Sequence, residues 1–108
     1  HYTYGGDLAR GIRYCIESDK AVNEDFNLST PVSTTVLEVA EQIWNKIHTD
    51  GRLFRYVSDK PYPYDVQKRV PSVEKAERLL GFQADTPLDR ILDELIPWIA
   101  EQISVGGI

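Results

Sequence analysis

The residues best suited to binding chemistry stand close together in one proline-punctuated stretch. Two aromatic rings, an acid and a basic pair fall within eight positions: Tyr62, Tyr64, Asp65, Lys68 and Arg69. A guanidinium group suits the bidentate gripping of phosphate oxygens. A carboxylate can accept hydrogen bonds from ribose hydroxyls, and a tyrosine ring can lie against a base. The pattern indicates a loop that holds a small polar ligand. The other interpretation is a solvated loop whose charges face water.

No catalytic constellation accompanies this loop. The sequence has no glycine-rich phosphate loop and no Ser/His/Asp order that would indicate a nucleophile. Tyr56 and Lys60 have the Tyr-x-x-x-Lys spacing of short-chain dehydrogenases. That spacing brings the two side chains together only on a helix. Because Tyr56 lies in a predicted strand and Pro61 follows Lys60 directly, we reject this motif. We therefore assign no catalytic residue and no cofactor-binding residue.

Composition excludes several classes of function. The chain has 108 residues, enough for one core, and its net charge of -5 argues against non-specific nucleic-acid binding. No apolar run approaches the ~20 residues that span a bilayer, so we expect no membrane segment. The single cysteine, Cys15, excludes an internal disulfide and fits a reducing cytoplasm, where we expect the protein to reside. With only two histidines, we expect no metal site.

Apolar residues recur at helical spacing in four segments. The first expected helix runs from an N-cap at Asp7 to near Ser18, and the second begins at a capping box of Thr35 and Glu38. The third runs from Ser72 to Gly81. The fourth begins at a cap at Thr86, with Pro87 at the first position and Asp89 completing the box, and continues through Pro97. Cys15 and Trp44 fall on the apolar faces of two of these helices. We interpret both as packing residues, not as a nucleophile and a ligand-stacking ring.

Three short segments rich in β-prone residues predict strands, at 2–4, 25–28 and 53–57. Together with the four helices they predict a mixed α/β (α+β) fold of one small domain. Because the strands are few and short, the unit is expected to cap a larger sheet.

A family resemblance extends over the whole chain. It is carried by HYTYGGDLARGI, EDFNLST, STTVLEVAEQIW, YDVQKRVPSVEKAERLLGF and TPLDRILDELIPWI, in that order. The fourth block matches the family's pattern at Asp65, Val66, Arg69, Lys75, Ala76, Leu80 and Gly81. These blocks resemble the C-terminal part of an extended short-chain dehydrogenase/reductase of the nucleotide-sugar epimerase/dehydratase family.

The resemblance implies an NAD-dependent enzyme, such as an epimerase of the UDP-glucose type, acting on a nucleoside-diphosphate sugar. Residues 1–108 would be its substrate-binding segment, packed on an N-terminal Rossmann domain that binds NAD and supplies the catalytic residues. By the match, Asp65 would bind the nucleoside side, and Lys68 and Arg69 would lie near the diphosphate. The chain departs from the pattern at Tyr62, where the family usually has an arginine, and at Ser72, where it has an aspartate.

Two other hypotheses stay open. The chain could be a free-standing acidic interaction module without a catalytic role. Alternatively, its parent could have lost activity and serve as a regulatory nucleotide binder. The absence of methionine fits a piece of a longer protein, which would be inactive alone. Such a piece would expose apolar surface, so a homodimer is plausible. The sugar, the base and the choice among epimerase, dehydratase and reductase stay open.

Overall fold

The computed structural model describes residues 1–108, and every regular element in it is helical. The α-helices are α1 (Gly5–Glu17), α2 (Val36–Ile47), α3 (Glu74–Leu80) and α4 (Leu88–Ser104), with a short 3-10 helix at Asp19–Ala21. The four predicted helices are therefore all present. None of them is both long and apolar enough to cross a membrane.

The prediction of a mixed α/β fold with three strands is wrong, because residues 2–4, 25–28 and 53–57 form no strand. The backbone hydrogen bonds outside the helices join residues no more than six positions apart, so none links two of these segments. β-prone side chains favour a strand only where a neighbouring strand completes the ladder. Here Thr3 contacts the residues just after the second segment through its side chain, whose Oγ1 accepts from the Thr30 N–H at 3.0 Å.

Two helix boundaries follow the local sequence as predicted. The Thr35 hydroxyl accepts from the Glu38 N–H at 3.1 Å, and the Glu38 carboxylate accepts from the Thr35 N–H at 2.6 Å. This completes the capping box at the start of α2. Gly81 ends α3 with a φ of 64°, in the left-handed region that favours glycine.

The other predicted caps are wrong. α1 begins at Gly5, which places Asp7 inside the first turn. Ser72 lies outside α3, whose N-cap position is held by Val73 without a side-chain hydrogen bond. Pro87, not Thr86, precedes α4, so no box forms with Asp89. For Asp7 and Thr86 the reason is tertiary: the Asp7 carboxylate accepts from the Thr86 N–H at 2.9 Å, which commits both groups to each other. α4 continues through Pro97.

A small core holds α1 against the residues that follow α3. Phe82 is 2% exposed and packs with Ala76 and Ala84. Gly11 of α1 faces it so closely that an added Cβ would lie 2.9 Å from the Phe82 Cζ. Only glycine allows the helix to approach the ring this closely. Cys15 is half-buried on the same helix.

Ion pairs and one indole join the remaining elements. Lys46 of α2 places its Nζ 2.6 Å from carboxylate oxygens of both Asp89 and Asp93 on α4. Hydrogen bonds to those two carboxylates raise the pKa of Lys46. Trp44 is half-buried, and its Nε1–H donates to the Arg52 carbonyl at 2.8 Å. This bond fixes the start of the long connection between α2 and α3.

Candidate functional site

The predicted site residues lie on the connection between α2 and α3, here called the 48–73 loop. The loop contains no helix or strand, and every residue from 55 to 70 is exposed. At its start the Phe54 ring lies 6.0 Å from the Trp44 ring and stacks on Tyr56 at 5.8 Å. The expectation that Tyr56 and Lys60 do not share a helix is confirmed, although Tyr56 lies in no strand either.

The two predicted tyrosines flank a turn. The Asp65 N–H donates to the Tyr62 carbonyl at 3.2 Å. Tyr64 has a φ of 68°, a left-handed conformation that few non-glycine residues adopt. The Tyr62 and Tyr64 side chains are 83% and 104% exposed, so neither ring packs on the rest of the protein. Both rings are accessible to a planar partner.

The cations between residues 55 and 69 of the 48–73 loop lack ion-pair partners, whereas Arg52 pairs with Asp50. Neither Lys68 nor Arg69 has a carboxylate within ion-pair distance, and the Asp65 carboxylate has no cation. Six of the twelve lysines and arginines form no ion pair: Lys20, Arg55, Lys60, Lys68, Arg69 and Arg78. Four of these six lie between residues 55 and 69. The same stretch contains the unpaired acids Asp59 and Asp65, so residues 55–69 have a net charge of +2 in a chain of net charge -5.

The structure does not gather the five predicted residues into a pocket. The contact among them is the backbone bond between Asp65 and Tyr62. None of them lines either of the two main cavities. Binding on such an open loop would depend on charge and ring stacking, since no wall excludes water. No group of three or more His, Cys, Asp or Glu side chains is placed to hold a metal ion.

A separate cavity of about 410 Å³ opens elsewhere, and sequence reasoning missed it. Its lining comes from residues 2, 30–32, 34, 73, 77 and 82–88. No spacing in the sequence signals this cavity, because four distant segments form it. We call it the 30/82 cavity.

A buried carboxylate positions one wall of the 30/82 cavity. Asp7 is 5% exposed, and its second oxygen lies 3.0 Å from Nη2 of Arg10. Arg10 also donates to the Gln83 carbonyl at 2.8 Å. Burial by itself would raise the pKa of Asp7, but the hydrogen bonds from the Thr86 N–H and Arg10 outweigh it and hold the pKa below 3.8. The sequence prediction of an N-cap missed this role because Thr86 lies 79 positions away.

Comparison with curated proteins finds distant matches over nearly the whole chain. UDP-glucuronic acid decarboxylase 1 of Danio rerio is 26% identical over 102 residues, covering 94% of this chain and 23% of the relative. The same enzyme of Xenopus tropicalis gives the same identity and coverage. UDP-N-acetyl-alpha-D-glucosaminuronate decarboxylase of Bacillus cytotoxicus is 23% identical over 103 residues, covering 93% and 32% respectively. No family model and no solved structure matches.

The chain thus spans about a quarter to a third of the length of these curated relatives. The relatives' names denote decarboxylases of UDP-linked sugar acids. The resemblance to nucleotide-sugar enzymes is confirmed at this coarse level, as a distant similarity. The relatives' names specify decarboxylation, whereas the sequence prediction specified epimerases and dehydratases.

Proposed function

We propose that this chain is the nucleotide-sugar-binding part of an NAD-dependent enzyme acting on UDP-linked sugars. Two independent observations support the proposal. The distant relatives are named for UDP-sugar substrates, and they match 93–94% of the chain. The 48–73 loop, where the resemblance placed substrate contacts, carries most of the unpaired cations. The epimerase and dehydratase reactions suggested by the resemblance, and the decarboxylation named in the relatives, all act on the sugar portion.

In this proposal the chain binds and orients, and its own residues do no covalent chemistry. Arg69 and Lys68 hold the diphosphate, and Asp65 accepts hydrogen bonds from the nucleoside hydroxyls. Tyr62 and Tyr64 lie against the base. A separate N-terminal Rossmann domain would bind NAD, which supplies a hydride acceptor for the sugar. Fixing the diphosphate at a distance from the reacting carbon orients the sugar without taking part in the reaction.

The observation that carries the proposal is that two cations without ion-pair partners and two exposed rings lie on the same exposed loop. Calorimetric titration of the protein with UDP-glucuronate tests it. Since a hydrogen bond to a charged group is worth about 1.5–3 kcal/mol, Arg69→Ala should weaken binding roughly tenfold or more. Binding of uridine, which has no phosphate, should not change.

Arg78→Ala is the matched control for this titration. Arg78 is also unpaired and exposed, but it lies on α3, outside the 48–73 loop. Its removal changes the net charge equally and should leave UDP-glucuronate binding within twofold. Equal losses for the two variants would show that only net charge matters, and the assigned role of Arg69 would be wrong.

A second candidate, an acidic interaction module, is favoured by the exposed apolar residues of α1. Leu8, Ile12 and Ile16 recur at helical spacing and are 40%, 48% and 80% exposed. Such a stripe suits a protein partner or a second copy of the chain. The same titration separates the two candidates, since an interaction module would bind neither UDP-glucuronate nor uridine.

A further inference from the structure

The 30/82 cavity has the size and lining of a small-molecule site. Its volume of about 410 Å³ falls in the range of roughly 300–1,000 Å³ found for ligand pockets. Tyr2 and Val32, 41% and 63% exposed, give the cavity an accessible apolar lining. Phe82, Ala84 and Thr30 also line it but are buried, so they offer a guest little surface. An apolar lining favours an apolar body over a sugar or a phosphate.

The charged groups of the cavity all have one sign. Glu77 and Asp85 are the charged residues among its fourteen lining residues, and no lysine, arginine or histidine lines it. Asp85 lies 3.5 Å from the Arg10 guanidinium, which compensates part of its charge. Glu77 has no cation within ion-pair distance, and its Oε1 accepts only from the neutral Gln83 amide at 2.5 Å.

We propose that the 30/82 cavity binds a small organic cation, an apolar body that carries a protonated amine. The apolar body lies against Tyr2 and Val32, and the ammonium group lies at the Glu77 carboxylate. This site is distinct from the 48–73 loop, because the two have opposite charge and share no residue except Val73. A nucleoside diphosphate is disfavoured in the cavity, since its phosphates would face two carboxylates and the nearby Arg10 guanidinium is already paired with Asp7 and Asp85.

A matched pair of probes tests the charge preference. Naphthylethylamine and naphthylpropionate share the same bicyclic body and differ in the sign of the charged end. Because an exposed ion pair contributes up to about 1 kcal/mol, the amine should bind up to about fivefold more tightly than the carboxylate in calorimetric titration of the protein. Glu77→Gln should remove most of that difference. No amine binding at millimolar concentration, or equal affinity for the two probes, would overturn the proposal.

Two control variants locate the effect. Glu74→Gln removes one negative charge from the same helix, outside the cavity, and should leave the amine affinity unchanged. Thr34→Trp places a large ring in the lining and should abolish binding of both probes. Helical circular dichroism establishes that each variant folds. Arg69→Ala should not affect the amine, so failure here and failure of the proposed nucleotide role are distinguishable. An equal loss of amine affinity in Glu74→Gln and Glu77→Gln would contradict the placement of the ammonium group at Glu77.

Discussion

Phe82→Ala is expected to lower the free energy of unfolding by about 3–5 kcal/mol, the largest effect of any single truncation in this chain. The ring is 2% exposed and meets Tyr14 edge-on, with ring centroids 6.2 Å apart. The Arg10 guanidinium lies 5.2 Å from its centroid. Removing the ring would leave a void between α1 and α3. Small domains are stable by only about 5–15 kcal/mol, so much of the total would be lost. Urea unfolding followed by circular dichroism measures the change.

Tyr62→Ala is the matched control, because it removes a ring that is 83% exposed. We expect a change within about 0.5 kcal/mol, as for most surface substitutions. Phe82→Leu keeps part of the volume and should show a smaller loss than Phe82→Ala. If Phe82→Ala unfolds at the same urea concentration as the natural sequence, the ring does not hold α1 in place.

Asp7→Asn is expected to lower the free energy of unfolding by about 1.5–3 kcal/mol, the range for a hydrogen bond to a charged group. The substitution removes the negative charge that faces the Arg10 guanidinium at 3.0 Å. It also weakens the acceptor for the Thr86 N–H, and through it the link between α1 and the start of α4. Asp59→Asn is the control, since Asp59 is exposed and forms no ion pair.

The stabilisation that Asp7 contributes to the folded state should decrease as the pH falls. Its pKa is lower in the folded state than the ordinary value of 3.8, so the unfolded state binds more protons at low pH. The stabilisation is fully present above pH 3.8 and is lost as the pH falls through the folded pKa. The difference between the natural sequence and Asp7→Asn should therefore shrink below pH 3.8. A difference that stays constant down to pH 2 would contradict this.

Local signals in the sequence predicted the helices and their best-defined ends. The capping box of Thr35 and Glu38 and the glycine at position 81 need only neighbours within one helical turn. Such contacts depend on side-chain chemistry three or four positions apart, which a sequence displays directly.

Strand prediction failed because the strand signal is not local. Leu53 and Val57 have β-prone side chains, but they are 75% and 93% exposed and have no neighbouring strand. The Asp7 cap failed for the same kind of reason. The Asp7 carboxylate binds the Thr86 N–H instead, and only the tertiary fold brings these two groups together.

For the candidate site too, the sequence predicted what depends on residue types and missed what depends on the tertiary fold. Residue types in the 48–73 loop predicted ligand binding, and this stays a prediction; the structure shows that residues 55–70 are exposed. That Lys68 and Arg69 lack ion-pair partners could not be read from the sequence, because it depends on where all seventeen acids lie. The 30/82 cavity could not be predicted either, since its lining is assembled from four separate segments.

The most direct test of the proposed nucleotide role is a map of amide chemical shifts on addition of UDP-glucuronate. If the 48–73 loop binds the nucleotide sugar, the largest changes fall between residues 62 and 69, and Arg69→Ala suppresses them. Changes that avoid this stretch, or that appear only around residues 30–34 and 82–88, would contradict nucleotide binding by the loop.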